Sequence, residues 1–236
     1  MRRTWQAMLL VVAVSPACAQ TSPDRRATAE PTAAQAQSAD PKSGTIAMGC
    51  GYLVVENHGQ VHFTAFLTGN DMQQVRRGMP VFIMDDVLFE VETTTAAKMG
   101  TNDRGADLLR SHLSWETDFI SRTNQWPALS PAVESIESGV PGVHALRWTY
   151  APPVPGVVHK RQVARVMYVT AAIDDVVLSL SAPMRSEDDS RIIAAKLDGI
   201  VRTIRRSSSP LDVGDLVRQF DEIHDRAKIC AQWGGA

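Results

Sequence analysis

VMYVTAAIDDVVLSLSAPMRSEDDSRIIAAKLDGIVRTI, residues 166–204, decides the fold. Its opening is the end of a β-branched and aromatic run that reaches back to Gln162 and stops near Ala172; Val176 to Ser181 is a second such run. Between them stands Asp174-Asp175, a pair suited to a tight reversal. So short a connection cannot carry a parallel crossover, and the two strands must lie antiparallel. Ser186-Glu187-Asp188-Asp189 then reads as a helix start, with Ile193, Leu197, Ile200, Val201 and Ile204 recurring on one face.

Working outward, Tyr52 to Val55 and Val61 to Leu67 flank Asn57-His58-Gly59-Gln60 and predict a hairpin. Val81 to Met84 and Val87 to Val91 predict another about Asp85-Asp86, after a short helix or loop over Asn70 to Arg77. Gly100-Thr101-Asn102-Asp103 opens a helix with Asn102 as its cap, running to about Arg122 and ended by Asn124 and Pro127. Val143 to Tyr150 is a strand, and the three prolines of Ala151 to Gly156 make a loop. After a polar break at Arg205 to Ser209, Ser209-Pro210-Leu211-Asp212 starts a last helix. Its apolar stripe is Val213, Leu216, Val217, Phe220, Ile223, Ala227 and Cys230. The class is α+β: a mostly antiparallel sheet built from hairpins, packed by one central helix and two C-terminal helices.

The strand VMYVTAA, the Asp-Asp turn, a strand ending in Ser181-Ala182-Pro183, an acid-rich helix cap and LDGIVRTIR follow hairpins, a helix and antiparallel strands. This order resembles the end of PsbP-like exported α+β domains. The resemblance covers about 130 residues and lies in topology, with no signature motif, so it carries over no functional residue. It implies a non-catalytic accessory or binding role.

The first residues carry an address. Arg2 and Arg3, the apolar stretch Ala7 to Val14, the break at Ser15-Pro16 and the small residues Ala17-Cys18-Ala19 read as a signal peptide over 1–19. That stretch is too short to span a bilayer, and no other segment approaches the needed length. Lipid attachment at Cys18 is the alternative, although Ser15-Pro16-Ala17 is a poor lipobox. Residues 20–43 hold no large apolar side chain and read as a disordered tether. The α+β domain then spans 44–206, with the amphipathic helix 210–233 docked on it. The expected location is the periplasm or beyond, after cleavage near Ala19. A net charge of −2 removes the basic surface that nucleic-acid binding needs.

With Cys18 gone, Cys50 and Cys230 remain, and in an oxidising compartment they are expected to form a disulfide. In the chain-entropy model, a loop of about 180 residues contributes about 4 to 5 kcal/mol.

Catalytic signatures such as G-x-S-x-G, H-E-x-x-H, C-x-x-C and a Gly-rich phosphate loop are missing, and no cofactor is expected. His112 and Glu116 lie four residues apart inside an apolar helix face, which predicts a buried pair satisfying each other or a third group. Their functional alternative is an acid/base couple or half a metal site. His58 and His62 flank a turn and are the other metal candidates, against two surface imidazoles. The pairs Asp85-Asp86, Asp174-Asp175 and Asp188-Asp189 read as turn and cap chemistry. Trp126 and Trp233 are candidate protein contacts, because Trp dominates binding hot spots. The combined reading is an exported, non-enzymatic protein-binding or accessory domain, in a sharper form an immunity-type inhibitor of an envelope-targeting hydrolase. The alternatives are a small hydrolase using His112 and Glu116, and a lipid or small-molecule binder.

Overall fold

The computed structural model describes residues 43–48, 50–69, 72–75, 80–154, 156–158, 161–186 and 188–222. The chain opens with β1 (Gly44–Ala47), β2 (Gly51–His58), β3 (Val61–Thr68), β4 (Met72–Gln74), β5 (Val81–Met84) and β6 (Val87–Thr95). Helix α1 (Gly105–Asn124) follows, then β7 (Ala132–Ile136), β8 (Val143–Tyr150), β9 (Gly156–Val158) and β10 (Arg161–Val163). Next come β11 (Arg165–Ile173), β12 (Val176–Met184), α2 (Ser190–Arg202), β13 (Arg205–Ser207) and α3 (Val213–Glu222).

The hairpins divide between two antiparallel sheets rather than sharing one. A four-stranded sheet runs β1-β2-β3-β13, a seven-stranded sheet runs β4-β5-β6-β12-β11-β8-β7, and β9 with β10 forms a separate ribbon. Strands β11 and β12 are buried along nearly their whole length, so both of their faces need cover. One face meets α2 and the small sheet: Leu178, Leu180 and Val169 share a core with Phe63, Leu67, Leu197 and Val201. The other face receives α1, whose Leu108 and Leu109 pack on Ala172 and Val177. A third cluster lies on the outer side of the small sheet. There Leu53, Val55 and Phe66 hold Leu216 of α3, and Asn57 exchanges two hydrogen bonds of 2.9 Å with the Leu211 backbone.

The Asp-Asp turns reverse their hairpins through the left-handed region. Asp85 and Asp86 have φ of 48° and 65°, and Asp174 has 53°. Asp tolerates this conformation because its short side chain bonds locally. The same carboxylates also reach cations elsewhere in the chain: Asp85 pairs with Lys196 of α2, and Asp174 with Arg206 of β13.

Four local expectations are corrected. Asn102 does not cap α1: the helix begins at Gly105, with Arg104 at the cap position and no side-chain bond there. Gly105 has φ +56°, and a Cβ on it would stand 3.0 Å from the His144 ring, so the chain can enter the helix at this point only through glycine. Part of Asn70 to Arg77 is strand β4, paired with β5, and the polar break after Ile204 is strand β13, paired with β3. In α3, Val217 is exposed and Leu216 is the buried residue.

Thr203 ties α2 to the small sheet. Its hydroxyl accepts from the Phe66 N–H at 2.7 Å and donates to the Ile200 carbonyl at 2.7 Å. Replacing it leaves a buried N–H unsatisfied. Thr203→Val is therefore expected to lower unfolding free energy in urea by about 1 to 3 kcal/mol; an unchanged midpoint would show that water replaces the hydroxyl.

Candidate functional site: an acidic seam along the central helix

Strand β6 alternates. Phe89 and Val91 enter the core, so Glu90 and Glu92 project from the opposite face, the one α1 covers. Register places Glu90 in one row with Ser181, Tyr168 and Trp148, and Glu92 in the next row with Ser179 and Thr170. Helix α1 lies mainly over β8 and β11 and reaches less of β12. Glu90 and Glu92 therefore stand along the helix's edge, half-buried. Glu116 joins them from α1, one turn beyond His112, and is close enough for its charge to act on Glu90.

Beneath α1, on β8 and β11, the same sheet face is aromatic. Trp148 and Tyr168 stack with centroids 3.9 Å apart at 7°, and Tyr150 lies 6.2 Å from Trp148. All three rings are buried. The Trp148 indole N–H, the Tyr150 hydroxyl and Glu90 Oε1 are inaccessible and lack a well-formed hydrogen bond, although the Tyr168 hydroxyl lies near that of Tyr150.

Crowded carboxyls in a poorly hydrated place resist ionisation. Burial, then the charges of Glu92 and Glu116, then a hydrogen bond to Glu92 push Glu90 up to about 8. Burial and the charge of Glu92 push Glu116 up to about 7, with Lys98 pulling the other way. Glu92 is also raised, chiefly by burial. Tyr150 is pushed up to about 12 by burial and by Glu116. Among the described residues no cation stands within ion-pair distance of the three glutamates.

The residues that the sequence put forward are placed as follows. His112 is buried at 1% exposure with Nδ1 unbonded, and no hydrogen bond joins it to Glu116, so of the two expected arrangements the mutual pair does not form. Burial pushes the imidazole down to about 4, which leaves it neutral and with no charge to offer a carboxylate. His58 and His62 stand on opposite faces of the small sheet. His58 shares Glu56's face and bonds its carboxylate at 2.9 Å, while His62 sits opposite Asn57, buried, with Nδ1 unbonded. Strand alternation therefore prevents them from sharing a metal, and no group of three metal-ligating residues is assembled among the described residues. Trp126 is half-buried beside the end of α1, its backbone N–H donating to the Ser121 carbonyl. Cys50 packs in the cluster that docks α3. Cys18, Ala19, Cys230 and Trp233 lie outside the described residues. Among those described, no helix is long and apolar enough to cross a membrane.

No protein-family model and no curated protein matches the chain. Among solved structures it is similar to the solution structure of cyanobacterial PsbP (CyanoP) from Synechocystis sp. PCC 6803. The identity is 9% and the TM-score 0.38, over 75% of this chain and 98% of that one.

The seam makes stability depend on pH in a defined direction. Unfolded glutamates release protons near 4.5, whereas folded Glu116 and Glu90 hold theirs to about 7 and 8, so stability falls as pH rises through that window. His112 opposes this only below its ordinary 6.5, where the unfolded imidazole takes up a proton that the folded one refuses. Urea titrations should therefore show stability rising from pH 8 to 6.5. Glu90→Gln should flatten that rise and add about 2 kcal/mol at pH 8. An identical pH profile in the variant would show that Glu90 is hydrated and ionised.

Proposed function

We propose that this chain is an exported, non-enzymatic domain that works by binding, with the seam as its contact surface. Export is supported by the leader read over 1–19 and the tether over 20–43. Binding is supported above all by one observation: three half-buried carboxyls from two elements crowd one another at the edge of α1, with no cation within ion-pair distance among the described residues. Crowded carboxyls of this kind oppose folding, and a positively charged partner group would relieve the cost. Hydrolysis is disfavoured because the buried imidazole is not bonded to Glu116, so no base with its orienting group is formed. Inhibition of an envelope-targeting hydrolase is the sharper form of this reading.

The bridge between Cys50 and Cys230 belongs to the same proposal. Cys50 shares its cluster with Leu216 and Phe220 of α3, so a link from there would staple the C-terminal segment to the small sheet. In mature protein denatured without reductant, an alkylating reagent should find no free thiol, and reduction should lower stability by up to about 5 kcal/mol. A labelled Cys50 would refute the bridge.

Cell fractionation tests the main reading. Osmotic shock should release protein whose N-terminus, by mass spectrometry, lies just after Ala19. Retention of the intact leader on cytoplasmic protein would overturn export. Hydrolysis of an ester or glycan by the purified chain, abolished in Glu116→Gln, would overturn the binding role.

A further inference from the structure

We infer that the free edge of β7 is a docking site for an extended, basic strand of another protein, which adds itself to the seven-stranded sheet. Three strands separate β7 from β6, so this surface is distinct from the seam proposed above and does not depend on it.

The first support is the direction of the backbone. Val143 turns both its polar groups into the connection between β7 and β8. Its N–H donates to the Val140 carbonyl at 3.1 Å, and its carbonyl accepts from the Ser138 hydroxyl at 2.7 Å. Leu146 faces the other way, its carbonyl accepting from the Thr170 hydroxyl of β11. By alternation Ala145, Arg147 and Thr149 aim at β7, where they meet Ile136, Glu134 and Ala132. Val133 and Ser135 therefore aim their N–H and C=O groups outward. Among the described residues those groups have no hydrogen-bond partner.

The second support is that nothing blunts this edge. Register runs unbroken from Ala132 opposite Thr149 to Ile136 opposite Ala145, so no bulge turns the strand aside. Neither Pro nor Lys stands within Ala132–Ile136. Ala132 to Ser135 are all exposed, Val133 at 48%. The other edges of the two sheets differ: β4 and β13 have three residues each, and β1 sits in the cluster that docks α3.

Charge selects the occupant. An open strand edge takes up another strand through main-chain hydrogen bonds, while alternate side chains choose its sequence. Residues 131–137, PAVESIE, carry two acids and no cation. Glu134 bonds Arg147 at 2.6 Å, but that guanidinium is shared with Asp198 at 2.8 Å, and 63% of the Glu134 side chain stays exposed. A Lys or Arg set opposite Glu134 supplies the missing charge, and a β-branched residue opposite Val133 covers its methyls. A second copy of this chain fits less well. The antiparallel register that pairs Val133 with Ser135 of the other copy, and so uses both outward residues, sets Glu134 against its own counterpart.

Isothermal titration of the mature chain with acetyl-Lys-Val-Thr-Lys-Val-Thr-Lys-amide tests the site. Laid antiparallel, this peptide sets its central Lys opposite Glu134 and its second Val opposite Val133. Saturable binding is expected, at least tenfold tighter than for the same peptide with Glu in place of every Lys. N-methylation of its third and fifth residues, whose N–H groups meet β7, should weaken binding at least tenfold. N-methylation of the fourth, whose N–H points away, should leave it unchanged. Ser135→Pro removes an outward N–H and no bond to β8, so it should cost at least tenfold in affinity at an unchanged urea midpoint. If that variant loses its fold, the two methylated peptides decide. No saturable binding of the basic peptide, equal weakening by either methylation, or full affinity in Ser135→Pro would overturn the edge as a docking site. Equal affinity for the acidic peptide would overturn the choice of a basic strand. A dimer in sedimentation that Ser135→Pro dissociates would overturn the foreign partner in favour of a second copy.

Discussion

Burial of the β11–β12 hairpin on both faces is the constraint that the remaining structure answers. Two central strands with almost no exposed residue cannot be left bare on either side. On one side the demand is met by two elements, α2 and the small sheet, which together form a continuous apolar cluster. On the other side a single helix does the work. One helix is about 10 Å across, narrower than a seven-stranded sheet, so part of that face stays open. The polar rows Glu90–Ser181–Tyr168 and Glu92–Ser179–Thr170 begin where the cover thins.

That geometry accounts for the mixed character of the seam. Next to Leu108 and Leu109 the sheet is apolar, with Ala172 and Val177 beneath. Two residues further along each strand it turns to hydroxyls, rings and carboxyls. Half-buried acids of this kind oppose folding, since they must be desolvated with no counter-charge closer than the outlying Lys98. Proteins tolerate such local costs where something is gained at the same residues, and the surrounding core, anchored by Trp148, Phe63 and Phe66, is extensive enough to carry them.

The sequence made the α+β class, both Asp-Asp hairpins and the face of α2 readable, because each depends on local periodicity or turn chemistry. Strands β4, β7 and β13 were not readable. They are short edge strands with little buried surface, defined by the partner they pair with rather than by their own pattern. The site was half visible. His112 and Glu116 stood out as polar residues within an apolar stripe, but the stripe could not show that Glu116's charge falls on Glu90 while His112 leaves Nδ1 unbonded. Glu90 and Glu92 were present in the alternation Phe89-Glu90-Val91-Glu92, which reads as an ordinary solvent-facing edge. Only the placement of α1 on that side makes them half-buried, and nothing local announces which face a distant helix will choose. His58 and His62 failed for a simpler reason: across the two-residue turn, an even spacing falls on opposite sides of the sheet.

The Asp-Asp turns do more than reverse the chain. Because Asp85 and Asp174 sit in the left-handed region, their carboxylates leave the hairpin sideways and reach Lys196 and Arg206, far along the sequence. A glycine at either position would keep the reversal and lose the reach. Each turn is thus a fastener as well as a corner, holding α2 and the strand that follows it to hairpins formed earlier in the chain. These links are electrostatic and partly hydrated. Concentrated salt should therefore loosen the late elements while leaving the hairpins themselves intact.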